Sequence, residues 1–177
     1  MGSSRLPGKV MLSILGKSML ELLIIRLRQA RLIDQIVVAT TINQTDDVIE
    51  DLMFQIGTTC VRGSEEDVVD RVLQAAHAVN ADVIIEITGD CPLIDPALVD
   101  QVVGFYLANQ FDYVRNVGEG GFPRGLDAQA FSTTVLEEVA RSTQDPVHRE
   151  HPPVYINEHP DRFSIHLMEV DNGDLYR

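Results

Sequence analysis

The segment that most constrains the fold is residues 82–88, a β-branched and mostly apolar run that ends in a Gly-Asp-Cys-Pro turn. Such a run predicts a strand, and residues 35–41, which are nearly all apolar, predict a strand buried on both faces of a sheet. Similar runs cover residues 35–41, 59–61 and 112–117, and helical patterns lie between them. Strands that alternate with helices through short loops predict an α/β fold, with a mostly parallel sheet and helices on both faces.

Apolar spacing and capping residues set the expected helix boundaries. The helices are expected at residues 18 to about 30, 46–56, 64–79, 95–109 and 134–141. Ser64 is the expected N-cap of the third helix, in a capping box with Asp67, and Thr133 or Thr134 that of the fifth. The His- and Pro-rich residues 145–160 are expected to be irregular and to precede a last strand at 163–170.

Composition narrows the functional classes. The chain has 177 residues and no linker-like segment, which predicts a single domain over residues 1–177. A formal net charge of −13 without a basic stripe argues against a nucleic acid polymer as a partner, and no apolar run is long enough to cross a membrane. Two isolated cysteines are too few for a disulfide framework or a zinc site. We therefore expect a soluble cytoplasmic protein with reduced thiols.

The first nine residues, Met-Gly-Ser-Ser-Arg-Leu-Pro-Gly-Lys, have the composition of a phosphate-binding loop. Small residues let main-chain N–H groups approach an anion, and Arg5 and Lys9 add two cations that suit a chain of phosphates. The spacing is not that of a Walker A loop, and a Gly/Ser-rich tail is the alternative reading. A phosphate loop ordinarily follows a strand, so either a first strand is missing before Met1 or these residues are not a phosphate loop.

Asp90 follows the central predicted strand, at the sheet edge where α/β proteins bind ligands. A carboxylate there can ligate Mg²⁺ against substrate phosphates, and an Asx turn that ends the strand is the alternative. Asp95, before Pro96, is most simply a helix N-cap. His148 and His151 lack a third ligand and predict a surface turn rather than a metal site.

Six segments, in order, carry a family resemblance. They are residues 1–9, 38–41 with 46–47, 62–64 with 67–71, 87–96, 125–127 and 149–151. Together they resemble the cytidylyltransferase family of CMP-sialic acid and CMP-KDO synthetases, in particular its spore coat polysaccharide biosynthesis protein F branch. Residues 1–9 and 87–96 are the most specific of these segments.

The resemblance implies a nucleotide-diphospho-sugar transferase (Rossmann-like) fold and transfer of CMP from CTP to an acidic or amino sugar, with pyrophosphate release, for surface polysaccharide. It implies Mg²⁺ as cofactor, CTP and a small sugar as ligands, no membrane partner, and a homodimer. By this resemblance, the catalytic residues are Lys9, Arg5 and Asp90, and Asp90 is the metal ligand. Nucleotide-binding residues are Gly2, Ser3, Ser4, Arg5, Lys9 and Arg71; substrate-binding residues are Asp67, Asp127 and Arg149.

The chain departs from the family pattern at several points. Relatives of this kind carry Arg where Glu86 stands and Glu where Gln129 stands, and they continue past residue 177 into a segment with a second metal-binding aspartate. We expect that segment and the first strand to be absent here, so that a truncated or degenerate nucleotide-binding domain without turnover is the alternative function. A glycosyltransferase is a further alternative, but no Asp-x-Asp pair stands at a predicted strand end.

Overall fold

The computed structural model describes residues 6–118 and 122–169, which form alternating strands and helices. The strands are β1 (Ser13–Ile14), β2 (Lys17–Ser18), β3 (Val37–Thr41), β4 (Thr59–Gly63), β5 (Val83–Glu86), β6 (Tyr113–Arg115), β7 (Gln129–Ser132) and β8 (Ile165–Leu167). The helices are α1 (Met19–Leu27), α2 (Asp47–Ile56), α3 (Val68–Ala78), α4 (Pro96–Ala108), α5 (Thr133–Ser142), α6 (Pro146–Glu150) and α7 (Pro152–Glu158). The predicted α/β class is confirmed.

The chain divides into two compact units. The first comprises Met1–Asp34, Ile85–Ala130 and His166–Arg177, and the second comprises Gln35–Ile84 and Phe131–Ile165. Strands β5, β7, β6 and β8 are neighbours in that order in a four-stranded sheet. No helix within residues 6–118 and 122–169 is both long and apolar enough to cross a membrane.

In the second unit, β3 and β4 form a parallel pair with Val37 opposite Thr59 and Thr41 opposite Gly63. The intervening helix α2 ends at Gly57, whose φ of 64° is a left-handed conformation that glycine adopts without strain. The core of the second unit includes Ile49 and Met53 of α2, which are 4% and 0% exposed, and Val69 of α3, which is fully buried. The parallel pair thereby brings the ends of β3 and β4 to one edge.

In the first unit, α1 and α4 carry the apolar residues of the core. Leu23 and Ile24 of α1 are 3% and 1% exposed, and Leu98 and Val102 of α4 are fully buried. Asp95 caps α4 by accepting a hydrogen bond from Ala97 N at 2.9 Å, as its position before Pro96 predicts.

Several local predictions were wrong. The N-cap of α3 is Asp67, not Ser64, because its Oδ1 accepts from Asp70 N at 2.9 Å while Ser64 Oγ accepts from Asp67 N one turn earlier. The N-cap of α5 is Ser132, whose Oγ accepts from Val135 N at 3.1 Å, rather than Thr133 or Thr134.

The His- and Pro-rich segment is also more regular than predicted. Helices α6 and α7 occupy it, and each has a proline at a first-turn position, where the missing N–H costs no helical hydrogen bond. The antiparallel β1–β2 hairpin was not predicted, because each of its strands has only two residues and the turn contains Leu15 at a φ of 52°. Short strands leave almost no periodic signal.

Candidate functional site

The first unit brings Lys9 and Asp90 into direct contact, although 81 residues separate them in the sequence. Lys9 opens a short 3₁₀ turn after Gly8, whose φ of 70° reverses the chain. Asp90 lies in the turn that follows β5. Lys9 Nζ donates to Asp90 Oδ2, and the side chains of the two residues are 28% and 37% exposed. The structure thus places a cation and a carboxylate together at the end of a strand.

The environment of Asp90 favours its ionised form. The hydrogen bond from Lys9 holds the pKa of this carboxyl below its ordinary value, and partial burial opposes the shift without cancelling it. A hydrogen bond from Thr88 acts in the same direction as Lys9. Asp90 is therefore a carboxylate at neutral pH, as a cation ligand must be.

Cys91 and Asp127 complete this region of the first unit. Cys91 is 5% exposed, and its Sγ lies 3.1 Å from Thr88 Oγ1. Burial raises the pKa of the Cys91 thiol, and the charges of Asp90 and Asp127 raise it further, so both carboxylates lie within electrostatic range of one sulfur. The charges of Lys9, Asp90 and Asp127 therefore all act on the pKa of one buried thiol.

The main chain around Asp127 is held by the side chain of Asn116. Asn116 Nδ2 donates to Leu126 O at 2.8 Å, and Asn116 Oδ1 accepts from Ala128 N at 2.7 Å, so that one buried side chain fixes the main chain on both sides of Asp127. Asp127 Oδ2 accepts from Gly125 N at 3.3 Å. A carboxylate fixed in this way is pre-oriented for a ligand.

The donor set near Asp90 fits a magnesium ion that substrate helps to bind. Among residues 6–118 and 122–169, no group of three or more His, Cys, Asp or Glu side chains is arranged to hold a metal. Mg²⁺ does not need such a group, because it typically takes one or two carboxylates and completes its shell with water and phosphate oxygens. An ionised, part-exposed carboxylate next to a lysine meets that requirement.

The second unit contains a different ion pair. Arg149 donates from Nε and Nη2 to Asp67 Oδ2 at 3.0 and 2.5 Å, and from Nη1 to Ala140 O at 3.0 Å. Asp67 Oδ1 meanwhile caps α3 through Asp70 N. This pair fastens α6 to the start of α3, and both side chains use their polar groups within the unit.

Arg71 is also engaged within the second unit. Its Nη1 donates to Ser64 O, and to Glu65 O at 3.3 Å. The stem of the side chain lies against Gly63, where an added Cβ would be 3.0 Å from Arg71 Cγ and 3.1 Å from Arg71 Cβ. Arg71 therefore shapes the loop after β4, and its predicted contact with nucleotide stays a prediction.

Four predicted residues lie outside the part of the chain that the structure describes, and one hydrogen-bonded group was not predicted. Gly2, Ser3, Ser4 and Arg5 lie outside the described residues. In the first unit, Tyr113 Oη lies 2.5 Å from Gln129 Oε1, and Gln129 Nε2 donates to Glu86 Oε2 at 3.2 Å. The sequence flagged positions 86 and 129 as departures from the family pattern, but only the structure joins them through Tyr113.

Comparison with known proteins gives a family-model match that spans almost the whole chain. A model described as cytidylyltransferase matches residues 1–174. An uncharacterised protein of Methanocaldococcus jannaschii is 38% identical over 168 residues, which cover 95% of this chain and 68% of that one. The spore coat polysaccharide biosynthesis protein SpsF of Bacillus subtilis is 33% identical over 96% of this chain and 72% of its own length.

Solved structures show the same fold. A cytidylyltransferase from Leptospira borgpetersenii superposes with a TM-score of 0.91 at 34% identity, covering 100% of this chain and 76% of that one. A CMP:2-keto-3-deoxy-manno-octonic acid synthetase complexed with CTP gives 0.72 at 21% identity, covering 96% and 86%. The manganese complex of Rv0371c from Mycobacterium tuberculosis gives 0.67 at 21% identity, with the same coverage. The last two establish similarity of fold.

Proposed function

Because this chain belongs to the cytidylyltransferase family, we propose that it transfers the cytidylyl group of CTP to a sugar and releases pyrophosphate. The observation that supports this most directly is the Lys9–Asp90 pair at the end of β5. The acceptor is an acidic or amino sugar used for surface polysaccharide, in keeping with the name of the Bacillus subtilis relative. The CTP complex of a structural neighbour is a further support for the nucleotide.

The reaction needs three things from the protein. The acceptor hydroxyl must be in line with the α-phosphorus, the triphosphate must be held, and the charge that develops on pyrophosphate must be neutralised. We assign the triphosphate to the loop of Gly2, Ser3, Ser4, Arg5 and Lys9, whose N–H groups and cations suit phosphate oxygens. Lys9 then exchanges its contact with Asp90 for a contact with the phosphates.

We assign the divalent cation to Asp90 and propose that it is Mg²⁺. When bound, it supplies positive charge against the phosphate oxygens and the leaving group. The low pKa of Asp90 keeps this ligand ionised throughout the neutral range. The manganese complex of a structural neighbour supports a divalent ion in a protein with this fold.

Asp127, Asp67 and Arg149 are proposed to contact the acceptor, and Arg71 the nucleotide. Asp127 has the strongest support, because its charge and that of Asp90 both act on the Cys91 thiol within one unit. For Asp67 and Arg149, which bond to each other, substrate contact would use the exposed edge of the pair. We further propose that the protein is a cytoplasmic homodimer, which light scattering of the purified chain tests for the oligomeric state.

The test is pyrophosphate release by the purified chain with CTP, Mg²⁺ and a panel of sugar acids, amino sugars and sugar phosphates. We expect release with CTP in preference to ATP, GTP and UTP, and none without a divalent cation. Replacement of CTP by UTP without loss of rate, or release that persists in excess chelator, would contradict the proposal. Substrate consumption should match formation of a CMP-linked product.

A further inference from the structure

We propose that Arg115 determines acceptor specificity in the first unit, by binding an anionic group of the acceptor through the Nε–Nη2 edge of its guanidinium. This inference rests on the proposed function and deepens it, because it selects the anionic acceptors from those considered. The shared chemistry is a group with two charged oxygens, which a sugar carboxylate or a sugar phosphate both provide.

The first observation is an unmatched buried donor. Arg115 is half-buried at the end of β6, and its Nε is buried without a hydrogen-bond partner within the part of the chain that the structure describes. Leaving such a donor unpaired is costly, and it costs more when the group is charged. An unpaired, charged N–H is therefore a position where a ligand oxygen restores a lost interaction.

The second observation is that the guanidinium is fixed in one orientation. Arg115 Nη1 donates to Val117 O at 2.6 Å, and Met168 N donates to Arg115 O at 2.8 Å. Gly118, at a φ of 110°, lies so close that a Cβ would be 2.9 Å from Arg115 Nη1. Because Nη1 is occupied, the edge left for a ligand is Nε with Nη2, which matches two oxygens of one carboxylate or phosphate.

The third observation is the surface to which Arg115 belongs. Side chains alternate along a strand, so Arg115 shares a face of β6 with Tyr113. Tyr113 is linked through Gln129 to Glu86 on neighbouring strands of the sheet. Asn116, the residue after Arg115, donates to Leu126 O and accepts from Ala128 N, on either side of Asp127. An amide and a carboxylate that suit sugar hydroxyls thus lie on neighbouring strands of the sheet that carries a guanidinium that suits an anion.

The experiment measures binding of four matched probes to the full chain by ligand-observed NMR: glucuronate, glucose 6-phosphate, glucosamine and glucose, each with CTP present. We expect wild type to bind glucuronate or glucose 6-phosphate about 10- to 100-fold more tightly than glucose. Arg115→Gln should lose that preference, and Arg115→Lys should keep part of it. Comparison of the two anions identifies whether the carboxylate or the phosphate is the source.

Arg124→Gln is the matched control, because Arg124 is exposed and its replacement removes the same charge from the loop that follows β6. It should retain the preference, and the Arg115 variants should melt within a few degrees of wild type. Equal loss in both glutamine variants would show a general charge effect and overturn the proposal, as would tighter binding of glucosamine than of either anion. Arg115-dependent binding without pyrophosphate release would instead count against the proposed function alone.

Discussion

The two units each contain an ion pair that joins distant parts of the sequence, and the two pairs are built differently. Lys9 and Asp90 meet through one ammonium hydrogen bond, and their side chains are 28% and 37% exposed. Arg149 and Asp67 are joined by two hydrogen bonds to one oxygen, and these side chains are 14% and 32% exposed. Arg149 also binds Ala140 O, and Asp67 also caps α3.

This difference indicates which pair can exchange its partner for a ligand. A lysine is a mobile point charge, and a part-exposed pair contributes little to stability, so phosphate and Mg²⁺ can replace its one contact at low cost. Arginine that holds a carboxylate by two bonds and a carbonyl by a third loses several interactions if it moves. We therefore expect the Lys9–Asp90 pair to serve the reaction and the Arg149–Asp67 pair to serve chiefly the fold.

The largest expected effect separates the two roles at Asp90. Asp90→Asn should reduce pyrophosphate release at least about 100-fold, because the amide is a poor Mg²⁺ ligand and no longer attracts Lys9. The free energy of unfolding should change little, since the pair is part-exposed. Steady-state kinetics over a range of Mg²⁺ concentrations, with urea unfolding of the same samples, measures both.

The control is Asp95→Asn, which removes an equal charge five residues away. Asn caps a helix about as well as Asp, so both activity and stability should stay close to wild type. An Asp90→Asn enzyme with an unchanged rate would remove Asp90 from the metal site. A large loss of stability in that variant would erase the contrast between the two pairs.

The second prediction concerns the Arg149–Asp67 pair. Arg149→Gln should lower the free energy of unfolding by about 2 kcal/mol, because it leaves the partly buried Asp67 carboxylate without its cation. Addition of Asp67→Asn should cost less than the sum of the two single changes, since neither charge is then left alone. Urea unfolding of the two single variants and the double variant measures the coupling.

Arg141→Gln provides the comparison for Arg149, because Arg141 is in the same unit and its 69% exposed side chain lies 3.7 Å from Glu137. A cost below about 0.5 kcal/mol is expected there, as for exposed pairs in general. If Arg149→Gln were equally mild in stability but strongly impaired in acceptor binding, Arg149 would serve chiefly the acceptor and not the fold.

How far the sequence predicted these pairs depends on the range of the interactions. The alternation of the longer strands and helices, the end of the second helix at residue 56 and the Asp95 cap follow from local patterns, and the structure confirms them. Lys9 and Asp90 were each assigned to one function by their positions in motifs, but their contact spans 81 residues and has no local signature. Spacing along a chain predicts faces of helices and strands, not which distant loops meet.

The errors have the same physical origin. Ser64 and Asp67 are both good capping residues, and Asp67 caps the helix while Ser64 Oγ accepts from Asp67 N in the preceding turn. Asp67 also bonds to Arg149, 82 residues away, which no local pattern indicates. Residues 145–160 are rich in proline and are predicted to be irregular, although the first turn of a helix accepts proline. The Tyr113–Gln129–Glu86 chain crosses three strands, so only the sheet order brings it together.

A third prediction tests how tightly Arg71 packs against Gly63. Gly63→Ala should lower the free energy of unfolding by about 1–2 kcal/mol, because its Cβ would be 3.0 Å from Arg71 Cγ and 3.3 Å from the Arg71 Cα. In α4, Gly104→Ala is the matched control, since its Cβ would be 3.6 Å from Leu32 and alanine favours helix. Thermal unfolding of both variants measures the difference, and a neutral Gly63→Ala would mean that Arg71 moves freely.

The smallest expected effect is on the pH dependence of the stability that the Lys9–Asp90 pair contributes. The pKa of Asp90 in the folded protein lies below the ordinary value of 3.8, so the unfolded chain takes up its proton first as pH falls. The stability that the pair contributes is therefore fully present above about pH 3.8 and is lost as pH falls through the lower folded pKa.

Urea unfolding of wild type and Asp90→Asn between pH 7 and pH 3 isolates this contribution as the difference between the two proteins. We expect a small difference that is constant from pH 7 to about 4 and shrinks below that, with salt reducing it throughout because the side chains are part-exposed. A difference that grew on acidification would mean that the folded pKa is raised, and Asp90 would then be held by burial rather than by Lys9. In that case the Lys9–Asp90 pair would resemble the Arg149–Asp67 pair, and Lys9 would not be free to exchange Asp90 for phosphate.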